Sequence, residues 1–422
     1  MKIPFYARAA GAALAAAAAA LLGLYAWTSP APMAPLAAPL PPPSPAVLAE
    51  GARVVALGDC MVCHTAGKGP AYAGGLGLRT PFGTIYSTNI TPDPETGIGR
   101  WSAAAFRRAL REGVSRDGHL LYPAFPYIHY TRMSDGDIDL AYQYLMTRAP
   151  VRAAPPANDL PFPLRVRPLL AFWNMLYLRP GSASMAPVQA TAAERGRYLV
   201  DTLGHCASCH SGLNLIGGER HPAFQGGHID GWDAPALTAL ASGDTPWRHE
   251  ELVDYLRGGL SNAHGAAKGP MRPVTERLAE VPRADVEAMA AYLMSIQTAV
   301  AGKPAPRREP QAATVPAGQA LFAAACAGCH AETAPMMRLA QRPGLGRSSA
   351  VQGASPVNFV QTVLNGIPWQ PSSRVYMPPF ADTLSDEQVA QLAAYVRTGI
   401  ASRERWNDVA TTSAQLRKET QP

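Results

Sequence analysis

Charge is scarce in this sequence, and the little there is does not cluster. Charged residues make up 16% of the 422 residues, and no run of lysines and arginines accompanies the formal net charge of +6. The electrostatic footprint of a nucleic-acid-binding domain is therefore missing, which argues against that class of partner. The sequence also lacks a phosphate-cradling glycine loop and a nucleophile with a placed base, so it offers no substrate chemistry of its own.

Three copies of one short motif account for every cysteine in the sequence. All six cysteines fall in C-x-x-C-H, the attachment sequence of c-type haem. On a helix, positions i, i+3 and i+4 share one face, so two sulfurs and an imidazole can meet the same ligand. The three copies are Cys60-Met61-Val62-Cys63-His64, Cys206-Ala207-Ser208-Cys209-His210 and Cys326-Ala327-Gly328-Cys329-His330.

Other uses of paired cysteines do not explain this pattern. Disulfides suit exported proteins, but they do not require a histidine after every second cysteine. A thioredoxin-like pair needs a βαβ context. Structural zinc needs four ligands from paired knuckles, and these pairs lie more than 110 residues apart. We therefore expect three covalently bound haem c groups, with His64, His210 and His330 as proximal iron ligands.

The N-terminus contains the longest uncharged stretch of the chain. Lys2 and Arg8 precede Ala9–Trp27, 19 residues without a charge, which span roughly 28 Å as a helix, close to the thickness of a bilayer. Leading positive charge keeps that end in the cytoplasm. We expect residues 1–28 to form a single membrane anchor, or else a cleaved signal, with the rest of the chain on the periplasmic side. Residues 29–48 are proline-rich and predict an extended spacer that lifts the next domain off the membrane.

The surroundings of the three motifs repeat. Each motif follows a short helical lead-in, and each is followed by a loop-rich stretch and an amphipathic closing helix, predicted at Ser134–Met146, Pro282–Met294 and Ser385–Arg397. The predicted fold class is all-α, with three tandem class I cytochrome c domains after an N-terminal transmembrane helix and a Pro-rich linker. The predicted domains are 49–149, 188–299 and 314–403, with linkers 150–187 and 300–313 and a polar tail 404–422.

A haem iron in such a domain usually takes Met or His as its sixth ligand, and Met raises its potential. Met271 stands 61 residues after His210, and Met377 stands 47 residues after His330. Both lie in proline-rich loops before a closing helix. These two methionines are the predicted sixth ligands of the second and third haems.

The first domain departs from this pattern. Sixty-one residues after His64 stands Phe125, which cannot ligate iron. Met133 immediately precedes a helix cap, where an apolar residue packs against the first turn. We favour His129 as the sixth ligand, while Met133, His119 and an open coordination site remain alternatives.

The linker 150–187 contains a cluster of apolar residues with three possible uses. The cluster is suited to lying on a membrane, to binding a partner, or to packing between domains. Its members are Phe162, Leu169, Leu170, Phe172, Trp173, Met175, Leu176 and Tyr177.

Further motifs between the haem motifs point to a known protein family, and the resemblance covers nearly the whole chain. They are Thr88-Asn89-Ile90-Thr91-Pro92-Asp93, Gly97-Ile98-Gly99-Arg100-Trp101-Ser102 and Gly113-Val114-Ser115-Arg116-Asp117-Gly118-His119-Leu120-Leu121-Tyr122-Pro123. With the haem motifs, they resemble the tri-haem cytochrome c subunits of membrane-bound bacterial dehydrogenases that oxidise alcohols, gluconate, aldehydes or N-heterocycles. In the alcohol and gluconate branch a methionine normally stands at Phe125. The stretch from Ala124 to His129 is similar instead to cytochromes that partner molybdenum hydroxylases.

This resemblance implies a complex with a molybdopterin subunit and a small [2Fe-2S] subunit of the aldehyde dehydrogenase type. It implies an electron-transfer subunit, not an enzyme on its own, that delivers electrons to ubiquinone at the periplasmic side of the inner membrane. The alternative partner is a PQQ-dependent alcohol dehydrogenase or a flavin-dependent gluconate-type dehydrogenase. Two further hypotheses are a small-oxidant reductase with an open haem site and a free carrier that serves a terminal oxidase.

Overall fold

The computed structural model describes most of the chain in two compact units. Described are residues 26–181, 191–298 apart from 244, 315–370 apart from 340, 341 and 343, and 374–420, with single positions 16, 18, 19 and 23. The first unit comprises residues 1–188 and 202–205, and the second comprises 189–201 and 206–422. The predicted anchor Ala9–Trp27 falls largely outside the described residues. Within these ranges no helix has the length and apolarity that a membrane span requires.

The first unit is mostly helical and carries one small hairpin. A helix begins after Ser44, whose side chain accepts a hydrogen bond from the Val47 N–H, and Pro45 occupies the first turn, where a missing N–H costs nothing. The helices are α1 (Pro45–Leu57), α2 (Cys60–Cys63), α3 (Ala103–Glu112), α4 (Tyr127–Tyr130), α5 (Asp135–Leu145) and α6 (Leu170–Tyr177), and the strands are β1 (Gly77–Thr80) and β2 (Gly83–Tyr86).

The second unit contains the other two haem motifs. Its helices are α7 (Ala192–Tyr198), α8 (Ala207–His210), α9 (His249–Gly258), α10 (Met271–Leu278), α11 (Arg283–Ser295), α12 (Pro316–Ala325), α13 (Ala327–His330), α14 (Pro335–Leu339), α15 (Ser349–Gln352), α16 (Val357–Asn365), α17 (Asp386–Tyr395) and α18 (Val409–Thr420). Its strands form three hairpins: β3 (Gly227–Ile229) with β4 (Trp232–Ala234), β5 (Leu260–Ser261) with β6 (Gly265–Ala266), and β7 (Ile367–Gln370) with β8 (Val375–Met377).

Three helix crossings of the same kind recur along the chain. In each, a glycine of the lead-in helix touches the backbone of the closing helix, so that a Cβ atom there would overlap a carbonyl oxygen; at Gly51 it would lie 2.5 Å from the Leu140 oxygen. A tyrosine Cβ of the closing helix abuts the same glycine each time. The sets are Gly51 with Leu140 and Tyr144, Gly196 with Ala288 and Tyr292, and Gly318 with Gln391 and Tyr395.

The closing helices begin where the sequence predicts. The Ser134 hydroxyl caps α5 by accepting from the Asp137 N–H. Ser385 and Gln388 form the predicted capping box at α17. The third closing helix departs from the prediction at its end, because α17 stops at Tyr395 and a wider π turn continues over Val396–Ile400.

The four short hairpins are not among the sequence predictions. All are two-stranded and antiparallel. In β1–β2 Gly77 pairs with Tyr86, and in β3–β4 Gly227 pairs with Ala234. Strands of two to four residues are too short to show an alternating pattern of apolar and polar side chains.

Residues 30–36, within the predicted extended spacer, are hydrogen-bonded to the first unit. The Met33 N–H donates to the Arg116 oxygen at 2.8 Å, and the Leu36 N–H donates to the Arg100 oxygen at 2.9 Å. The Arg108 guanidinium donates to the Ala31 oxygen at 2.8 Å. This segment therefore lies along the first unit, because its backbone finds hydrogen-bond partners there that the sequence could not reveal.

Within the second unit, hairpin β3–β4 is joined to helix α16. The Asn358 side chain accepts from the Asp233 N–H at 2.9 Å and donates to the Asp233 oxygen at 2.8 Å. The Gln361 side chain donates to the Gly231 oxygen at 2.9 Å. These bonds connect the part of the unit that carries the second motif to the part that carries the third.

Candidate haem-binding sites

Each C-x-x-C-H motif forms a single helical turn. The histidine N–H of each motif donates to the carbonyl oxygen of the first cysteine, at 3.0 Å for His64, 2.9 Å for His210 and 2.8 Å for His330. One turn places positions i, i+3 and i+4 on one face, as shared attachment to one ligand requires. All six cysteines lie within the described residues, and none of them forms a disulfide.

Two of the three motif histidines are oriented by a backbone carbonyl. The Nδ1 atom of His64 lies 2.6 Å from the Thr88 oxygen, and that of His210 lies 2.7 Å from the Pro235 oxygen. A carbonyl only accepts, so Nδ1 carries the hydrogen and Nε2 keeps its lone pair for a metal. Burial lowers the pKa of both imidazoles, which keeps them neutral near pH 7.

The same backbone arrangement surrounds both histidines. The Gly74 N–H donates to the His64 oxygen and the Gly226 N–H donates to the His210 oxygen, both at 2.8 Å. Both glycines have positive φ, 74° and 92°. A Cβ at Gly74 would lie 2.5 Å from the Thr88 oxygen, so only glycine lets that carbonyl approach the imidazole.

The third motif histidine differs in its surroundings. Among the described residues, which omit 340, 341 and 343 of the following loop, His330 has no ring hydrogen bond. Burial, and next the charge of Lys268, lower the pKa of His330. The imidazole of this motif is therefore also neutral near pH 7.

The predicted methionine ligands lie at the ends of regular elements and not within the loops that the sequence had indicated. Met271 is half-buried at the start of α10, and a Cβ at nearby Gly269 would overlap the Trp232 ring of β4. Met377 is half-buried at the end of β8. Its carbonyl oxygen packs so closely on Gly366 (φ 65°) that a side chain there would displace it. Close backbone packing thus fixes where both methionines stand.

The loop that carries His129 packs against the first motif. His129 is 5% exposed and lies in α4. The Tyr130 hydroxyl donates to the Gly58 oxygen at 2.9 Å, two residues before Cys60. The structure therefore brings this loop to the motif from which it is separated by more than 60 residues of sequence.

The alternatives to His129 lie in different environments. Met133 is 3% exposed and immediately precedes the cap of α5. His119 is exposed, and its Nδ1 lies 2.9 Å from the Ser115 hydroxyl. Phe125 packs its ring 5.6 Å from the Tyr130 ring, in the aromatic cluster of this loop. His129 and Met133 are thus the two buried candidates.

Two segments match known families, each across one of the motifs. Residues 193–297 match the family described as "Cytochrome c". Residues 313–396 match "Cytochrome C oxidase, cbb3-type, subunit III".

Several curated proteins match nearly the whole chain. The chain is 34% identical to the fructose dehydrogenase cytochrome subunit of Gluconobacter japonicus, over 88% of this chain and 82% of that protein. It is 34% identical to the gluconate 2-dehydrogenase cytochrome c subunit of Pantoea cypripedii, over 89% and 90%. The chain belongs to the family of dehydrogenase cytochrome c subunits. Cytochrome c domains imply covalently bound haem c, for which C-x-x-C-H is the attachment sequence.

A third relative is more similar but much longer. The cytochrome is 48% identical to a nicotinate dehydrogenase subunit of Pseudomonas putida over 90% of its own length. The match spans only 33% of that relative. The cytochrome therefore corresponds to about a third of the longer protein.

The cysteines and histidines of the cytochrome are suitable ligands for haem c. One buried histidine outside the motifs, His264, also agrees with a bound haem. His264 is 6% exposed and stacks on Trp247 with ring centroids 3.7 Å apart. Its Nε2 has no hydrogen-bond partner among the described residues. A buried polar atom of this kind needs a partner, and a haem carboxylate supplies an acceptor.

A cleft of about 320 Å³ adjoins the first haem site of the cytochrome. Thr88, whose carbonyl orients His64, forms part of its wall. Two arginines of the segment before α6 also line it. The lining residues are Tyr86, Thr88, Tyr122, Pro155, Pro156, Ala157, Asn158, Arg165 and Arg167.

Sequence reasoning missed Thr88 and Pro235 as functional residues. Each acts through its backbone carbonyl oxygen. Every residue carries such an oxygen, so no side chain marks it in the sequence.

Proposed function

We propose that this cytochrome is the tri-haem electron-transfer subunit of a membrane-bound periplasmic dehydrogenase. It relays electrons from a molybdopterin and [2Fe-2S] catalytic partner of the aldehyde dehydrogenase type to ubiquinone. Three haems are supported by the three motifs and by the three equivalent glycine crossings of the helices. Each crossing belongs to one of three tandem class I cytochrome c domains.

In this proposal the chain's own residues hold and tune three haems. The six cysteines form thioethers, and His64, His210 and His330 are the proximal ligands. Met271 and Met377 are the sixth ligands of the second and third haems, and His129 is the sixth ligand of the first. The haem supplies one-electron chemistry when bound, while the protein sets its position and potential.

The choice of catalytic partner rests on one observation: the chain has a higher sequence identity to one group of relatives than to the others. The cytochrome is 48% identical to a subunit of nicotinate dehydrogenase and 33–34% identical to the fructose, gluconate and alcohol dehydrogenase subunits. Phe125, at a position where the alcohol and gluconate branch normally has methionine, agrees with this difference. A molybdenum enzyme is therefore favoured over a PQQ or flavin enzyme.

The test is purification of the native complex from membranes. We expect a complex that contains molybdenum and non-haem iron in addition to haem, measured by metal analysis, and that reduces a ubiquinone analogue. Pyrroloquinoline quinone or flavin in place of molybdenum would assign the cytochrome to the alternative partner. Release of the cytochrome from washed membranes without any partner would support the free carrier instead.

A further inference from the structure

The segment around α6 exposes a concentration of apolar side chains. Seven large ones between residues 160 and 181 are 37–73% exposed, and together we name them the α6 face. Exposed patches of this kind mark contacts with proteins or membranes. The α6 face consists of Phe162, Leu164, Val166, Leu169, Phe172, Met175 and Leu176.

The opposite side of α6 is firmly attached to the first unit. Ala171 is buried in a cluster with Val114 and Leu120. The Asn174 side chain accepts a hydrogen bond from the Tyr127 hydroxyl at 2.6 Å. The three α6 residues of the face are therefore displayed by a helix packed on the segment that carries His129, and the other four directly precede that helix in the chain.

The uncharged N-terminal stretch ends beside this face. Trp27, its last residue, lies with its ring centroid 5.7 Å from that of Phe172 in an edge-to-face contact. Residues 30–36 then run along the same unit through hydrogen bonds to Arg100 and Arg116. The point from which a membrane segment would emerge is thus held next to the α6 face.

The charges within the segment that forms the face are of one sign. Residues 160–181 include three arginines and no aspartate or glutamate. Arg165 and Arg179 are exposed. Arginine stems cover apolar surface while their charged ends reach anionic headgroups, and Trp and Tyr, such as Trp173 and Tyr177, are enriched at membrane–water interfaces.

We propose that the α6 face lies in the interfacial layer of the phospholipid bilayer, as a membrane contact separate from the N-terminal stretch. The proposal rests on the periplasmic membrane location given under the proposed function. It brings the loop with Tyr127 and His129, and with it the first haem site, to the membrane surface.

A nitroxide label on the α6 face tests this contact in the full-length cytochrome. All six native cysteines belong to C-x-x-C-H motifs, so Met175→Cys introduces a single free thiol. The labelled protein is placed in phospholipid vesicles that contain anionic lipid and is kept oxidised, because haem reductants would also reduce the nitroxide. The saturation measured without oxygen or chelate is subtracted at each position, so that relaxation by the haem iron cancels. Power-saturation EPR then compares collisions with oxygen, which concentrates in lipid, and with a water-soluble nickel chelate.

We expect the oxygen-to-nickel collision ratio to be severalfold higher at position 175 than at a control label, Ala104→Cys, on the exposed side of α3. Equal ratios at the two positions overturn the proposal. So does a label at 175 that is open to the nickel chelate in vesicles and becomes shielded only when the catalytic subunits are added, which assigns the face to a protein partner. Neither outcome depends on which metal or cofactor the catalytic partner contains.

Discussion

At the scale of single residues, the proposed sixth iron ligands would set the potentials of the three proposed haems. Met271 and Met377 are thioether candidates, whereas the first site offers a buried imidazole at His129. A methionine ligand raises a haem potential relative to histidine. The first haem is therefore expected to have the lowest potential of the three.

Removal of His129 tests this order. We expect His129→Ala to abolish the bis-histidine spectrum of one haem and to raise its potential by on the order of 0.1 V, within the roughly 0.8 V that axial ligands span. The measurement is a spectroelectrochemical titration of the purified cytochrome. His119→Ala is the competing variant, because His119 is the exposed alternative in the same unit, and a change of spectrum and potential there instead would assign the ligand to it. Unchanged potentials in His129→Ala would discard the assignment.

At the third haem the opposite ligand change, from methionine to histidine, can be tested. Met377→His replaces a thioether by an imidazole, so the potential of one haem is expected to fall by on the order of 0.1 V. Loss of the sulfur-to-iron charge-transfer band in the oxidised spectrum should accompany the fall. Met294→His, in a helix of the second unit, serves as the control and should leave both readouts unchanged. A titration in which both variants match the native cytochrome would remove Met377 from the ligand set.

At the scale of elements, the glycine crossings hold each lead-in helix against its closing helix. The contact at Gly196 is tight because a side chain there would overlap the Ala288 carbonyl oxygen and the Tyr292 Cβ. Since an added methyl group has no space, the two helices would have to separate.

Gly196→Ala is therefore expected to lower the free energy of unfolding by about 1–3 kcal/mol, the usual cost of overpacking. Thermal unfolding followed by circular dichroism measures the change. Gly258→Ala is the matched control, because a Cβ at that helical glycine meets nothing within 4 Å. That variant should be neutral or more stable, since alanine is the better helix former. Equal effects at the two positions would show that the crossing contributes nothing specific.

At the scale of the whole molecule, a chain of fully coordinated haems transfers electrons and does not bind small ligands. We expect the reduced cytochrome to show no rapid carbon monoxide binding at any of three haems, monitored by difference spectra. Rapid binding at one haem would instead support the reductase hypothesis, and His129→Ala should create such a site. A mass of the mature protein that lacks three haem increments would contradict the tri-haem proposal itself.

How much the sequence predicts depends on whether a feature is local. The capping box of Ser385 and Gln388 and the cap at Ser134 were predictable, because each involves residues three positions apart. The hairpin β1–β2 was not, because its strands are too short to show a pattern. At the first haem site the sequence left His129, Met133 and His119 open, and the fold buries the first two and exposes the third.

The sequence by itself determined the haem motifs, because the spacing C-x-x-C-H is a property of one helical turn. Only the tertiary structure decided what surrounds them. The carbonyls of Thr88 and Pro235 reach the motif histidines, residues 30–36 lie along the first unit, and α6 packs on Tyr127. These contacts join residues far apart in the chain, and several use backbone atoms that every residue shares, so their positions follow only from the packed fold.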